Sequence, residues 1–226
     1  MIIWKSKNFD ELGIIVEKTP KLSKPKKRIS QFTVDGRNGF LSVDEGTYEA
    51  FSLSVECHVK EDSNFDDICE FLDGYGQLSL DGKRQYSAII NNAISFDKVL
   101  MFKKFIVQFL VNPICEDIIS TEYEVNSNNA ILIINNTYYE IEPTITLTCS
   151  GNISITINNE TFYLNSCEGT YILDSKNKLI TKNGINSSNI MIGSFPKLKK
   201  GNNNISYTGT ISSFVISYKK AYLWGG

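Results

Sequence analysis

Between Thr47 and Lys60 the chain reads TYEAFSLSVECHVK, with apolar and polar residues in alternation. Phe51, Leu53, Val55, Cys57 and Val59 fall on one face; Ser52, Ser54, Glu56, His58 and Lys60 fall on the other. A period of two over this length describes an extended strand with one buried face. It predicts Cys57 in a core and His58 in solvent. The same period recurs downstream, where Ile153, Ile155 and Ile157 alternate with Ser154 and Thr156. Asn158-Asn159 then marks a hairpin, and Thr161 to Leu164 returns.

Further strands are expected from Gln77 to Leu80, Tyr86 to Phe96 and Phe102 to Val111. Others are expected from Thr170 to Leu173, Lys178 to Thr181, Asn189 to Ile192, Asn204 to Thr208 and Ser212 to Tyr218. Asn-, Gly- and Ser-rich turns divide them. Short strands at this spacing suggest a two-sheet sandwich. One helix interrupts the pattern, over about residues 65–73. Phe65, Ile68, Cys69 and Leu72 form its apolar stripe, Ser63 and Asp66 its capping pair, and Gly74 its end.

A chain of 226 residues suits one large β domain or two small ones. Charge decides between them. Residues 1–117 hold 15 basic and 18 acidic groups, whereas 118–226 hold only 8 and 7, amid dense Asn, Thr, Ser and Ile. The shift falls at Asn112-Pro113-Ile114-Cys115-Glu116-Asp117, where a proline follows a strand-like run. The expected division is an N-terminal domain at 1–117 and a C-terminal domain at 118–226.

Most chemistry finds no residues to carry it. The net charge of −2 argues against a broad nucleic-acid surface. A single histidine, His58, leaves no two-histidine zinc motif, and no cofactor or metal is expected. Five cysteines without a C-x-x-C read as free thiols packed as small hydrophobes. Gly74-Tyr75-Gly76 follows a helix rather than a strand, so it reads as a turn and not a phosphate loop. Asp66-Asp67 and Asp44-Glu45 are mere neighbours, unlike a glycosidase pair held apart on separate elements. The opening MIIWKSKNFDELG lacks a secretory pattern, no run reaches a membrane span, and cytosolic synthesis is expected. The N-x-S/T triplets at Asn135, Asn152, Asn159, Asn186 and Asn204 then reflect asparagine content rather than glycosylation.

Two surface features stand out. Lys18 to Arg28, KTPKLSKPKKR, holds Lys18, Lys21, Lys24, Lys26, Lys27 and Arg28 with two prolines and no acid. It reads as a solvated connection or as an arm reaching a neighbouring subunit or an anionic surface. No aromatics interleave with it, which disfavours sequence-specific nucleic-acid binding. Tyr222 and Trp224 are the only plausible sugar platforms near the C-terminus.

Arg28 to Cys57, RISQFTVDGRNGFLSVDEGTYEAFSLSVEC, runs into the helix FDDICEFLDGYGQLSLDG and then YSAIINNAISFD. This order resembles the N-terminal domain of phage distal tail (Dit) proteins. Gly36, Arg37 and Gly39 match that family's turn, and Gly46-Thr47-Tyr48-Glu49 its start of the long strand. Ile190 to Trp224, with Gly193-Ser194-Phe195-Pro196 and Asn204-Ile205-Ser206-Tyr207, resembles the family's galectin-like C-terminal sandwich, as does Gly151 to Asn158.

The resemblance implies a mainly β protein. Its N-terminal β-sandwich or split-barrel domain carries one short helix, and a galectin-like antiparallel β-sandwich follows. It implies a non-enzymatic virion component at the tail tip, made in the bacterial host's cytoplasm. N-terminal domains would form a hexameric ring on the tail tube, with C-terminal domains outward. Partners would be further copies, the tail tube protein, the tail-associated tip protein and the tape-measure protein. The alternative is a module binding host cell-wall saccharide. Galectins use His, Asn, Arg and Trp side chains for sugar, and residues 118–226 contain no His and no Arg.

Overall fold

Strand Phe102–Asp117 pairs antiparallel with Phe51–Lys60 over ten residues, from Phe102 opposite Lys60 to Val111 opposite Phe51. This computed structural model describes residues 1–60 and 62–223. The chain is mainly β, 59% strand and 6% helical, in curled antiparallel sheets consistent with a β-sandwich fold. Its described residues divide into two compact units, Met1–Glu116 with Leu223, and Asp117–Tyr222.

In the first unit the strand order is Lys7–Asn8, Ile3–Trp4, Gly74–Ser79, Arg84–Ile90, Phe102–Asp117, Phe51–Lys60, Ile15–Val16. Alternation works as expected on the inner face, where Leu53, Val55, Cys57 and Val59 meet Phe105, Val107 and Phe109, all at most 3% exposed. Fully burying such a side chain contributes about 1.5–3 kcal/mol. Trp4 seals this layer. It packs edge-on against Phe109 at 5.1 Å and donates its Nε1–H to the Phe71 carbonyl at 3.0 Å.

Several local expectations change. The alternating stretch is not one strand: Leu41–Tyr48 ends and Phe51–Lys60 begins after Glu49-Ala50. Glu49 is held aside there, its backbone N–H donating to the Lys26 carbonyl at 2.8 Å. The strand from Tyr86 stops at Ile90 rather than Phe96. Pro113 does not end its strand, because the ladder to Phe51–Lys60 is already over at Val111 and no donor is lost on that side.

The helix spans Phe65–Phe71, and its N-cap is Asn64 rather than Ser63, with Asn64 Oδ1 accepting from Asp66 N at 3.2 Å. Cys69 is exposed. Phe71 takes its place in packing, edge-on to Phe9 at 6.0 Å. The other four cysteines are buried, and all five are thiols rather than disulfides.

The second unit is an antiparallel sheet in the order Thr121–Glu124, Gly201–Tyr218, Thr144–Ile157, Glu160–Asp174, Leu179–Lys182, Ile185–Asn186. Ala130–Ile134 also pairs with Gly201–Tyr218, beyond Thr121–Glu124. The expected short strands merge here. Asn204 to Thr208 and Ser212 to Tyr218 are one strand, as are Thr161 to Leu164 and Thr170 to Leu173. Gly151 lies inside Thr144–Ile157, and Gly169 and Gly209 lie inside the two merged strands, at φ 81°, 96° and 99°. Two of them flank ladder slips, between Gly151 and Ile153 and between Ser150 and Ser154 opposite Thr210 and Thr208. Such bulges bend a strand without ending it. The curled sheet closes around Leu147, Ile155, Phe162, Leu173 and Phe214. The Asn158-Asn159 hairpin is as expected, both residues left-handed at φ 55° and 76°.

Candidate functional site

The two features singled out in the sequence, the basic segment and the glycine turn, belong to opposite ends of one element. Lys27–Phe32 and Leu41–Tyr48 form a two-stranded ribbon that, among the described residues, pairs with no other strand. The basic segment leads into its base, and Gly36, Arg37 and Gly39 form its tip. Gly36 and Gly39 adopt φ 76° and 84°, which L side chains rarely adopt, and Arg37 N donates to the Val34 carbonyl at 3.1 Å to close the turn.

The basic residues divide into two groups. Lys26 pairs with Glu49 at 3.3 Å and Lys27 pairs with Asp44, so both clamp the base of the ribbon. A hydrogen bond from Lys27, helped by the Gly46 N–H at 2.9 Å, holds the Asp44 carboxyl below its ordinary value. Pro25 is buried, which anchors the segment where it turns into the ribbon. Lys18, Lys21, Lys24 and Arg28 are exposed.

The ribbon is amphipathic in a way the charge pattern hid. Its register sets Phe32 opposite Leu41 and Ser30 opposite Val43. Phe32, Leu41 and Val43 therefore share one face with Ser30. They are 56%, 41% and 54% exposed, and Val34 and Phe40 at the tip are 41% and 57% exposed. An isolated hairpin is marginal in water, and a contiguous apolar stripe of this kind marks a contact surface. The signal was present in the sequence as a second period-two run.

His58 departs from expectation. It is half-buried rather than solvated, edge-on to Phe102 at 5.2 Å, with Nδ1 3.2 Å from Glu17 Oε1 but outside hydrogen-bond geometry. The same Glu17 oxygen lies 2.7 Å from Lys104 Nζ. That hydrogen bond, first among several effects, holds the Glu17 carboxyl below its ordinary 4.5. Glu17 and Lys104 border an open groove of about 450 Å³ lined also by Glu56, Asn92 and Asp97. Among the described residues no three His, Cys, Asp or Glu side chains cluster as metal ligands. Tyr222 donates its hydroxyl to Asp117 Oδ2 at 3.3 Å, so it is engaged within the chain. Trp224 lies outside the described residues.

Two mainly β units, the first carrying an exposed amphipathic ribbon, define an antiparallel β protein. No family model and no curated protein sequence matches the chain. Among solved structures it is similar to the crystal structure of SPP1 Dit (gp 19.1), described as a paradigm of hub adsorption apparatus in Gram-positive infecting phages. The TM-score is 0.79 with 13% sequence identity, over 98% of each chain. At that identity the likeness is one of fold, and it agrees with the family drawn from the sequence.

Proposed function

We propose that the protein is a distal tail protein, a structural subunit of the hub that ends a phage or prophage-derived tail. One observation carries this reading: the similarity to a hub protein extends over 98% of both chains, covering both units in order, rather than one β unit alone. The protein would act in the virion, at the tail tip, after synthesis in the bacterial cytoplasm. Its division into an N-terminal domain at 1–117 and a C-terminal domain at 118–226 follows the same reading.

A closed ring uses heterologous contacts, so each subunit carries two different complementary patches. The apolar face of the ribbon is one of them, and the exposed Lys18, Lys21, Lys24 and Arg28 flank its base. The ring, a hexamer in this reading, joins the tail tube to the tail-associated tip protein and adjoins the tape-measure protein. Its role is scaffolding, not catalysis.

Electron microscopy and light scattering on purified protein, alone and with the tail tube protein, test the assignment. Rings with a central channel are the expected result. A monomer under both conditions, with retention on cell-wall polysaccharide, overturns it in favour of saccharide recognition.

A further inference from the structure

We propose that Cys149 and Cys167 form an oxidisable dithiol site, which closes to an intramolecular disulfide when the protein meets a peroxide. Strands Thr144–Ile157 and Glu160–Asp174 pair Cys149 with Gly169 and Gly151 with Cys167. These four residues share one face, and the cysteines occupy a diagonal of it. The other two corners are glycines in left-handed conformations. The ladder slips just beyond, between Gly151 and Ile153. A bulge of this kind sharpens local twist, and here the two thiols interact directly.

The glycine corners set the access to the pair. A side chain at Gly151 would meet nothing within 4 Å, and one at Gly169 would meet only Lys182 Cε, at 3.7 Å. The thiols are 5% and 3% exposed, so the flexible Lys182 stem is what stands over them at the Gly169 corner. Burial raises the Cys167 thiol above its ordinary value, but the hydrogen bond with Cys149 and the Lys182 ammonium, which sits 5.4 Å from the centre of the Tyr171 ring, oppose that rise. Burial pushes Cys149 up to about 12. Cys167 is therefore the attacking thiol and Cys149 the resolving one.

The chemistry balances with hydrogen peroxide as oxidant. The Cys167 thiolate attacks one peroxide oxygen, the O–O bond breaks, and the hydroxide released takes up the proton Cys167 lost. The Cys149 sulfur then attacks the sulfenic sulfur of Cys167. An S–S bond forms, the S–O bond breaks, and water leaves with the Cys149 proton. Two thiols lose two electrons, and one peroxide becomes two waters.

The test uses the full chain carrying Cys69→Ser, which removes the exposed thiol and its intermolecular reactions. Five cysteines less one leaves four titratable thiols. Peroxide followed by denaturation should leave two, with a non-reducing peptide map joining Cys149 to Cys167. The oxidised protein should melt higher, and dithiothreitol should reverse both changes. Four thiols remaining, a bridge between other cysteines, or sulfinic acid without a bridge overturns the proposal. In Cys149→Ser, peroxide should leave a sulfenic acid at Cys167 that dimedone traps. No adduct at Cys167 in a folded variant overturns its role as attacker.

Discussion

Phe32 stands directly opposite Leu41 on one face of the ribbon, and both side chains are about half exposed. Replacing both with serine removes apolar surface that the chain itself does not cover. Stability should change by less than about 1 kcal/mol, since neither residue sits in a core. Assembly should be lost, with light scattering reporting a folded monomer. Rings that persist in this double variant would show that another surface closes them. Deleting the basic segment is a poorer test, because Pro25, Lys26 and Lys27 anchor the base of the ribbon.

Asn203 is fully buried in the second unit. Its Nδ2 donates to the carbonyls of Lys199 at 2.9 Å, Gly201 at 3.2 Å and Leu132 at 3.3 Å, and its Oδ1 accepts from Asn158 Nδ2 at 2.7 Å and Lys199 N at 2.8 Å. Asn203→Ala leaves these groups without partners, and each buried unsatisfied group costs about 1–3 kcal/mol. Urea denaturation should show a loss of at least about 2 kcal/mol. Asn158→Ala, which removes one of these bonds, should cost less.

Acid should destabilise the first unit through Glu17 and Asp44. Both carboxyls lie below their ordinary values of 4.5 and 3.8, held by Lys104 and Lys27 respectively. As pH falls, the unfolded chain takes up these protons first. Each contribution is therefore present above the ordinary value and is lost as pH falls through the lowered one. Glu17→Gln and Asp44→Asn should each flatten the dependence of melting temperature on pH below about 4.5. An unchanged acid slope in both variants would refute this.

Gly209 and Gly36 both have positive φ, 99° and 76°, yet alanine should affect them differently. At Gly209 a Cβ would lie 2.6 Å from the Asn152 carbonyl oxygen, a backbone atom that cannot swing away. At Gly36 it would meet nothing within 4 Å. Gly36→Ala carries only the left-handed penalty of about 1–2 kcal/mol. Gly209→Ala should lower the melting temperature clearly more, and equal effects would argue that the bulge yields.

Much of the fold was legible because alternation is a local property. The period-two runs identified the strands around Leu53 and Ile155, and the Asn158-Asn159 hairpin held as read. Glycine was harder to interpret. A residue at positive φ serves a hairpin turn or a bulge equally well, and only the partner strand distinguishes Gly39 at a tip from Gly209 within a ladder. The helix was found, but not its cap or its packed face, since two turns leave the choice between Cys69 and Phe71 to whatever lies beneath.

The sequence by itself determined a mainly β chain with a lone histidine, five cysteines and a basic segment leading to a glycine turn. Tertiary structure decided what each of these faces. It placed Glu17 and Phe102 against His58, brought Cys149 diagonally beside Cys167 next to a bulge, and left Phe32, Leu41 and Val43 uncovered. The physical reason is that periodicity specifies which side chains share a face. Whether that face is covered depends on residues distant in the chain, and burial is settled only once those have folded against it.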